Sequence, residues 1–286
     1  MLNQAATGLF PGGIYCLIGI CLLLVYRVGA VVNFSQALAG TFAAFAVTSL
    51  TSDGLPTWFA ITAGLLLGAA IAVVQGMVMA RYLIEASVLV RTGVSIAMAV
   101  TLFSLSLVIF GDNPRNFPVI LGGKFSVGGI ELQTAAILAW ALAIVCGIAL
   151  GLTLSRTRLG IVLRAIAHSA PTAETLGVRT SRYVVGVWAV AGLITTFAVI
   201  LIAPATGSVD AMGLLVGPAV AAVLLGGFRR IWLTVLGALC IGLAEGVTPM
   251  ISNTQLAQVC DSAVPFVVIA AVLFWSQRKV SVGDIR

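Results

Sequence analysis

The chain has 286 residues, 60% of them hydrophobic and only 8% charged, with a mean hydropathy of +1.16. Soluble domains carry about 25% charged residues, and no soluble core could hide so much apolar surface behind so little polar surface, so an integral membrane protein is expected. The net charge of +6 comes with no basic patch interleaved with aromatics, which excludes a nucleic-acid partner; the charges sit at the ends of apolar runs.

A hydrocarbon core about 30 Å thick needs about 20 apolar residues per helix. Such runs lie near 5–26, 34–51, 57–80, 92–110, 134–154, 183–204, 213–228, 231–250 and 260–277. Gln36 interrupts the second early, and Gly226-Gly227 with Arg229-Arg230 leave little room between the seventh and eighth. The expectation is therefore one all-α polytopic domain, a bundle of eight to nine transmembrane helices over residues 1–286. The first basic residue is Arg27, so the first run lacks the positive start of a signal peptide and reads as a retained span. Gly8-x-x-x-Gly12, Gly64-x-x-x-Gly68 and Gly147-x-x-x-Gly151 place small residues one turn apart, where neighbouring helices can approach closely.

Orientation follows from the Lys/Arg bias between loops. With the N-terminus outside and nine crossings, 13 of the 15 basic residues face the cytoplasm, leaving Arg115 and Lys124 outside. The opposite orientation reverses that ratio, so an outside N-terminus and a cytoplasmic C-terminus are expected.

Two segments between the spans are long enough for structure of their own. In the outer one, 111–133, short β-prone runs flank Gly122-Gly123 and predict a small hairpin. The inner one, 155–182, predicts a short helix over 161–168, a break at Ser169-Ala170-Pro171, and a second helix over about 171–176. Pro171 suits that helix's first turn, Glu174 favours its early dipole, and Gly177 stands where a left-handed cap would end it. Either this is an ordinary basic loop obeying the charge bias, or it is a helix that docks in a groove of an ATPase.

Three further places carry polar groups that lipid cannot satisfy. Asn33, Ser35 and Gln36 stand where a span begins, which fits a broken helix start facing the interior or, for Asn33, a simple helix cap. Glu245 is the one acid deep in an apolar run, beside Pro249; it serves either as an interhelical hydrogen-bond anchor or as a functional group. Thr41, Gln75, Thr92, Ser95, Thr101, Ser104, Thr195 and Thr196 read mainly as hydrogen-bonding glue between helices. Such an interior suits a small, partly apolar solute better than an ion or a sugar.

Cys16, Cys21, Cys146, Cys240 and Cys260 fall in or beside apolar runs without a C-x-x-C spacing, and His168 is the one histidine, so neither a metal site nor a disulfide framework is expected. No phosphate-binding loop, zinc-peptidase motif or nucleophile elbow occurs, which counts against an ATPase or an intramembrane hydrolase. A transport subunit remains the leading class. Its rivals are an ATP-independent secondary carrier or channel that uses Glu245, and a purely structural assembly subunit.

The chain also resembles a known family, the LivH-type permease subunits of branched-chain amino acid ABC importers. The likeness runs through residues 13–18 (GIYCLI), 33–36 (NFSQ), 157–160 (TRLG), 164–167 (RAIA), 176–178 (LGV), 221–227 (AAVLLGG) and 242–245 (GLAE). It departs from the family at Gln36-Ala37, where His-Gly is common, and in the reduced basic stretch 81–85. The resemblance implies a bacterial inner-membrane permease paired with a second, LivM-like permease, two cytoplasmic ATPases and an external solute receptor. It implies no cofactor in this chain, since ATP and Mg would sit on the ATPases. Residues 155–182 would form the coupling loop, with Arg164, Ala165, Pro171, Thr172, Glu174, Leu176 and Gly177 passing motion to the ATPase. Asn33, Ser35, Gln36, Thr41, Ser95 and Glu245 would mark the translocation path, worked by alternating access.

Overall fold

In the computed structural model, residues 2–83, 85–111, 113–127, 130–250 and 263–271 are described. The elements run α1 (Leu2–Thr7), α2 (Leu9–Gly29), α3 (Gln36–Ser52), α4 (Thr57–Tyr82) and α5 (Val88–Phe110), then β1 (Lys124–Val127) and β2 (Ile130–Gln133). They continue with α6 (Thr134–Arg156), α7 (Arg158–His168), α8 (Ala170–Thr175), α9 (Thr180–Thr206), α10 (Val209–Gly213), α11 (Val216–Leu225) and α12 (Ile231–Val247). Residues 263–271 are helical, and the rest of the expected ninth run lies outside the described residues.

Among the described residues, five helical stretches are long and apolar enough to cross a membrane: Ala5–Gly29, α4, α5, α6 and α9. Val209–Leu225 and Ile231–Val247 are shorter apolar stretches. The chain is thus a mostly helical polytopic membrane protein.

The bundle is built around α2, which packs against α6, α9, α11 and α12 and is buried on nearly every side. A helix that is apolar all round belongs in such a central place. The most intimate pair is α4 with α9, and α3 lies against both. Glycines explain the closeness: a Cβ at Gly64 would collide with Val47, and one at Gly68 with the Thr196 side chain. Gly8 and Gly12 likewise admit the backbone of α12 at Gly242. Gly147 and Gly151 do not behave this way, since a Cβ there would meet only Ile231 and Ile20 side-chain atoms at 3.4–3.9 Å.

Polar side chains mark where helices start. Ser87, Thr157, Ser169 and Ser208 each accept a backbone N–H from the first turn of α5, α7, α8 and α10, which satisfies one of a helix's orphan donors. The α11–α12 connection is a tight turn in which Gly227 and Phe228 have φ of +58° and +54°. Phe228 stacks on Tyr26 at 4.2 Å, and Arg27 donates to the Arg229 carbonyl, so the basic ends of α2 and of this turn meet.

The 111–133 segment departs from expectation in the position of its strands. β1 pairs antiparallel with β2 from Lys124↔Gln133 to Val127↔Ile130, so the strands flank 128–129 rather than Gly122-Gly123. Lys124 and Glu131 form an ion pair of 2.9 Å across this ladder. Arg115, upstream, donates to Ser49 Oγ at 2.9 Å and to the Phe110 carbonyl at 2.7 Å, fastening the segment to α3 and α5.

Candidate functional site

Between the end of α2 and the start of α3 the chain leaves helical geometry inside the bundle. Ala30 turns left-handed (φ +50°) and ends α2, and α3 begins only at Gln36. The intervening polar groups are bonded locally. Asn33 is 2% exposed; its Oδ1 accepts Ser35 N–H at 3.1 Å and Ser35 Oγ–H at 2.7 Å. Ser95 of α5 accepts Phe34 N–H at 2.8 Å and lies 3.5 Å from Asn33 Oδ1. Asn33 is therefore a buried residue in a side-chain turn just before α3. Three residues on, Gln36 Nε2 donates to Thr195 Oγ1 of α9 at 2.6 Å and lies 3.5 Å from the Ile18 carbonyl. Its Oε1 has no partner among the described residues, and the same holds for Thr196 Oγ1.

Below this break, at the end of the bundle that carries Arg27, Arg91 and Arg164, lies a cavity of about 440 Å³. Gly29–Val31 form one side of it and Ile166–Pro171 another, with Trp188, Met79 and Val25 supplying apolar walls and Arg27, Glu85 and Arg91 the charge. Arg91 also donates to the Gly29 carbonyl at 2.8 Å, a cation at a helix C-terminus where the backbone dipole favours it. The volume falls in the range that holds small solutes.

The 155–182 segment packs onto this site. Ser169 alone forms the break between α7 and α8 and caps the latter, shorter than the three-residue break expected. At the far end Gly177 has φ +84°; its N–H reaches Glu174 O at 2.9 Å and Val178 N–H reaches Ala173 O at 3.1 Å. That pair of bonds is a Schellman cap. Glu174 accepts a hydrogen bond from Thr180 Oγ, tying α8 to the start of α9. Arg164 donates to the Leu154 carbonyl of α6 at 2.6 Å, and Leu176, 78% exposed, faces outward. Pro171 lines the cavity, whereas Ala165 lies partly buried behind it and Thr172 closes the cap with Ser169.

The structure does not bring all the expected path residues together. Thr41 is buried and bonds back to the Ala37 carbonyl at 3.0 Å. Glu245 sits two residues from the end of α12 and accepts from Tyr15 Oη at 2.7 Å. It is not deep in its span, because α12 stops at Val247 before Thr248-Pro249. α12 packs on α1, α2, α6 and α11, away from the α3–α5–α9 group that holds Asn33, Ser95 and Thr195. Sequence reading missed Tyr15 as the partner of Glu245, and Trp188 and Arg91 as cavity walls; each depends on contacts between distant segments.

Helices on this scale, with a polar chain break in the core and a structured loop packed against it, define a polytopic membrane protein. The chain belongs to the family described as the branched-chain amino acid transport system / permease component, whose profile matches residues 4–273. It is 25% identical over 284 residues to LivH of Escherichia coli K12, a high-affinity branched-chain amino acid transport system permease, covering 94% of this chain and 92% of LivH. It is 26% identical over 260 residues to BraD of Pseudomonas aeruginosa, a permease of the same description, covering 85% of each. A solved structure described as a metal-chelate type ABC transporter in an inward-facing conformation shares the fold, with a TM-score of 0.51 and 17% identity over 96% of this chain and 85% of that one. LivH and BraD are both described as permease proteins of a transport system.

Proposed function

We propose that the chain is the membrane-spanning permease subunit of an ABC importer that moves a small, partly apolar solute by alternating access. A branched-chain or other hydrophobic amino acid, or a related amide or organic acid, is the substrate class. The single observation that carries this reading is the shared cavity: Gly29–Val31, where α2 gives way to the break, and Ile166–Pro171 of the inner segment wall the same 440 Å³ space. A displacement of α7–α8 therefore changes the shape of the cavity directly beneath the Asn33–Gln36 break.

In this reading the inner segment is the coupling element, and partner ATPases supply ATP and Mg. A second permease completes the path, and an external receptor delivers the solute. The N-terminus lies outside and the C-terminus in the cytoplasm of the inner membrane. The placement of Glu245 near a helix end, bonded to Tyr15, supports the interhelical anchor over a proton-coupled carrier. The test is purification of the tagged chain from its native membrane in mild detergent. Recovery of a phosphate-loop ATPase and a second permease, with ATP-dependent uptake on reconstitution, is the expected result. Uptake by the chain alone without ATP overturns the importer reading.

A further inference from the structure

Helices α6 and α9 each pack closely on α2 but not on each other. The gap they leave is a groove of about 430 Å³. Leu150 of α6 and Val187, Val190 and Ile194 of α9 form its sides, and Ile20 and Cys21 of α2 form its floor. At one end α7, which packs on α2 and α6, closes it with Leu159 and Leu163. Gly186 opens the α9 side, since a Cβ there would meet nothing within 4 Å. The floor residues Ile20 and Cys21 are only 3% and 1% exposed, so the groove is narrow at its base. A flexible hydrocarbon chain can fill such a slot, whereas a helix about 10–12 Å across cannot.

The groove's hydroxyl and charged groups are gathered at the α7 end. Arg182 lines it there, in the first turn of α9, with Tyr183 and Thr153 at the same end. Arg156, Arg158 and Arg179 stand exposed at the neighbouring helix ends. Glu174 is the one acid between residues 132 and 209, and the Thr180 hydroxyl already engages it. Arg182 has no acidic partner among the described residues. From Arg182 to Ile194, α9 rises about 18 Å, close to one leaflet of a hydrocarbon core about 30 Å thick. A cation at headgroup level above an apolar slot one leaflet deep is complementary to an anionic phospholipid.

We propose that this groove is a binding site for one anionic phospholipid, with an acyl chain lying between α6 and α9 and the phosphate on the Arg182 guanidinium. A guanidinium presents paired donors that match phosphate oxygens, and basic pockets between membrane helices hold such headgroups. The site is separate from the cavity beneath the Asn33–Gln36 break, although α7 borders both. Leu159 and Leu163 line the groove, and Ile166–His168 line the cavity. The inference stands on membrane insertion and not on the importer reading.

The test uses the full chain in the assembly it purifies with, stripped of native lipid in mild detergent and studied by native mass spectrometry. Dioleoyl phosphatidylglycerol should be retained about fivefold better than dioleoyl phosphatidylcholine, or more. Arg182→Gln should lower phosphatidylglycerol retention by about fivefold, one basic residue's share of such an attraction, and leave phosphatidylcholine unchanged. Gly186→Leu fills the slot and should lower phosphatidylglycerol retention by a similar factor while the melting temperature holds. Arg230→Gln, an exposed basic residue outside the groove, should change nothing. In native membranes, photo-reactive benzoylphenylalanine in place of Val190, which lines the groove and is exposed, should give a lipid adduct. Equal retention of the two lipids, or a preference that survives Arg182→Gln or Gly186→Leu, overturns the site. Displacement of phosphatidylglycerol by inorganic phosphate alone would make the Arg182 end a free-anion site and overturn it too. A protein adduct at Val190, from a second copy or a partner chain, would show the groove to be a protein interface instead.

Discussion

The phenol of Tyr15 donates to Glu245 Oε2 at 2.7 Å, joining α2 to α12 across 230 positions of sequence. An amide oxygen can accept the same bond, so Glu245→Gln should keep both uptake and the melting temperature of the purified complex close to those of the parent. Tyr15→Phe removes the donor and should destabilise by about 0.6–1.7 kcal/mol, the range measured for interhelical hydrogen bonds in membranes. Thermal unfolding of both single variants and the double variant would resolve the coupling between them. Loss of uptake in Glu245→Gln at unchanged stability would instead give the carboxylate a transport role.

Glycine spacing separates two helix pairs that look alike in sequence. At Gly68 an added Cβ would strike the Thr196 side chain, so Gly68→Ala should destabilise by about 1–3 kcal/mol despite the helix propensity gained. Thr196→Gly in the same chain should recover part of that loss. At Gly151 the nearest atom to such a Cβ is 3.9 Å away, so Gly151→Ala should be neutral or stabilise by up to about 1 kcal/mol. Melting temperatures of the three variants would check the contrast. Equal losses at Gly68 and Gly151 would contradict the close α4–α9 approach.

The apolar runs were legible because each helix needs its own length of hydrophobic chain, and the helical stretches fall where those runs do. Helix starts were less so: Asn33 Oδ1 captures Ser35 N–H, which delays α3 to Gln36. The cap at Gly177 could be read locally because a left-handed residue after a short helix calls for glycine. The strands were placed too early because Gly122-Gly123 looks like a turn, whereas pairing is set by cross-strand partners such as Lys124 and Glu131. Gln75 was read as glue, and nothing in its apolar surroundings said that both its polar atoms would lack a partner among the described residues. The cavity beneath the break joins residues some 140 positions apart in the chain, a relation no periodicity records.

Gln36 is the polar residue that fixes the start of α3 to the middle of α9, through Thr195 at 2.6 Å. Gln36→Leu keeps the volume but removes the donor to the Thr195 hydroxyl, at a cost of about 1 kcal/mol. If the break lines the path, uptake should fall by about tenfold or more, each tenfold being about 1.4 kcal/mol on the barrier. Thr195→Val, which removes the acceptor from the other side, should give a smaller loss. Initial uptake rates in vesicles, normalised to the amount of inserted complex, would measure both. Unchanged uptake in Gln36→Leu would move the path away from this break.

Leu176 is 78% exposed at the end of α8, while Glu174 is engaged by the Thr180 hydroxyl and Gly177 closes the cap. The three positions should therefore fail differently. If α8 is the coupling element, Leu176→Asp places a charge where an ATPase would dock without touching the packing of this chain. It should cut solute uptake by about tenfold or more, the effect of losing roughly 1.4 kcal/mol of docking, while the complex keeps hydrolysing ATP. Gly177→Ala forces a side chain into left-handed geometry at a cost of about 1–2 kcal/mol, so it should loosen α8 and weaken ATPase retention more mildly. Thr180→Val releases Glu174 and should show whether α8 must be tied to α9 for motion to reach the cavity. The decisive measurement is the ratio of solute moved to ATP hydrolysed in reconstituted complexes. A ratio unchanged by Leu176→Asp, with the ATPase still bound, would show that the coupling contact lies elsewhere on the inner face.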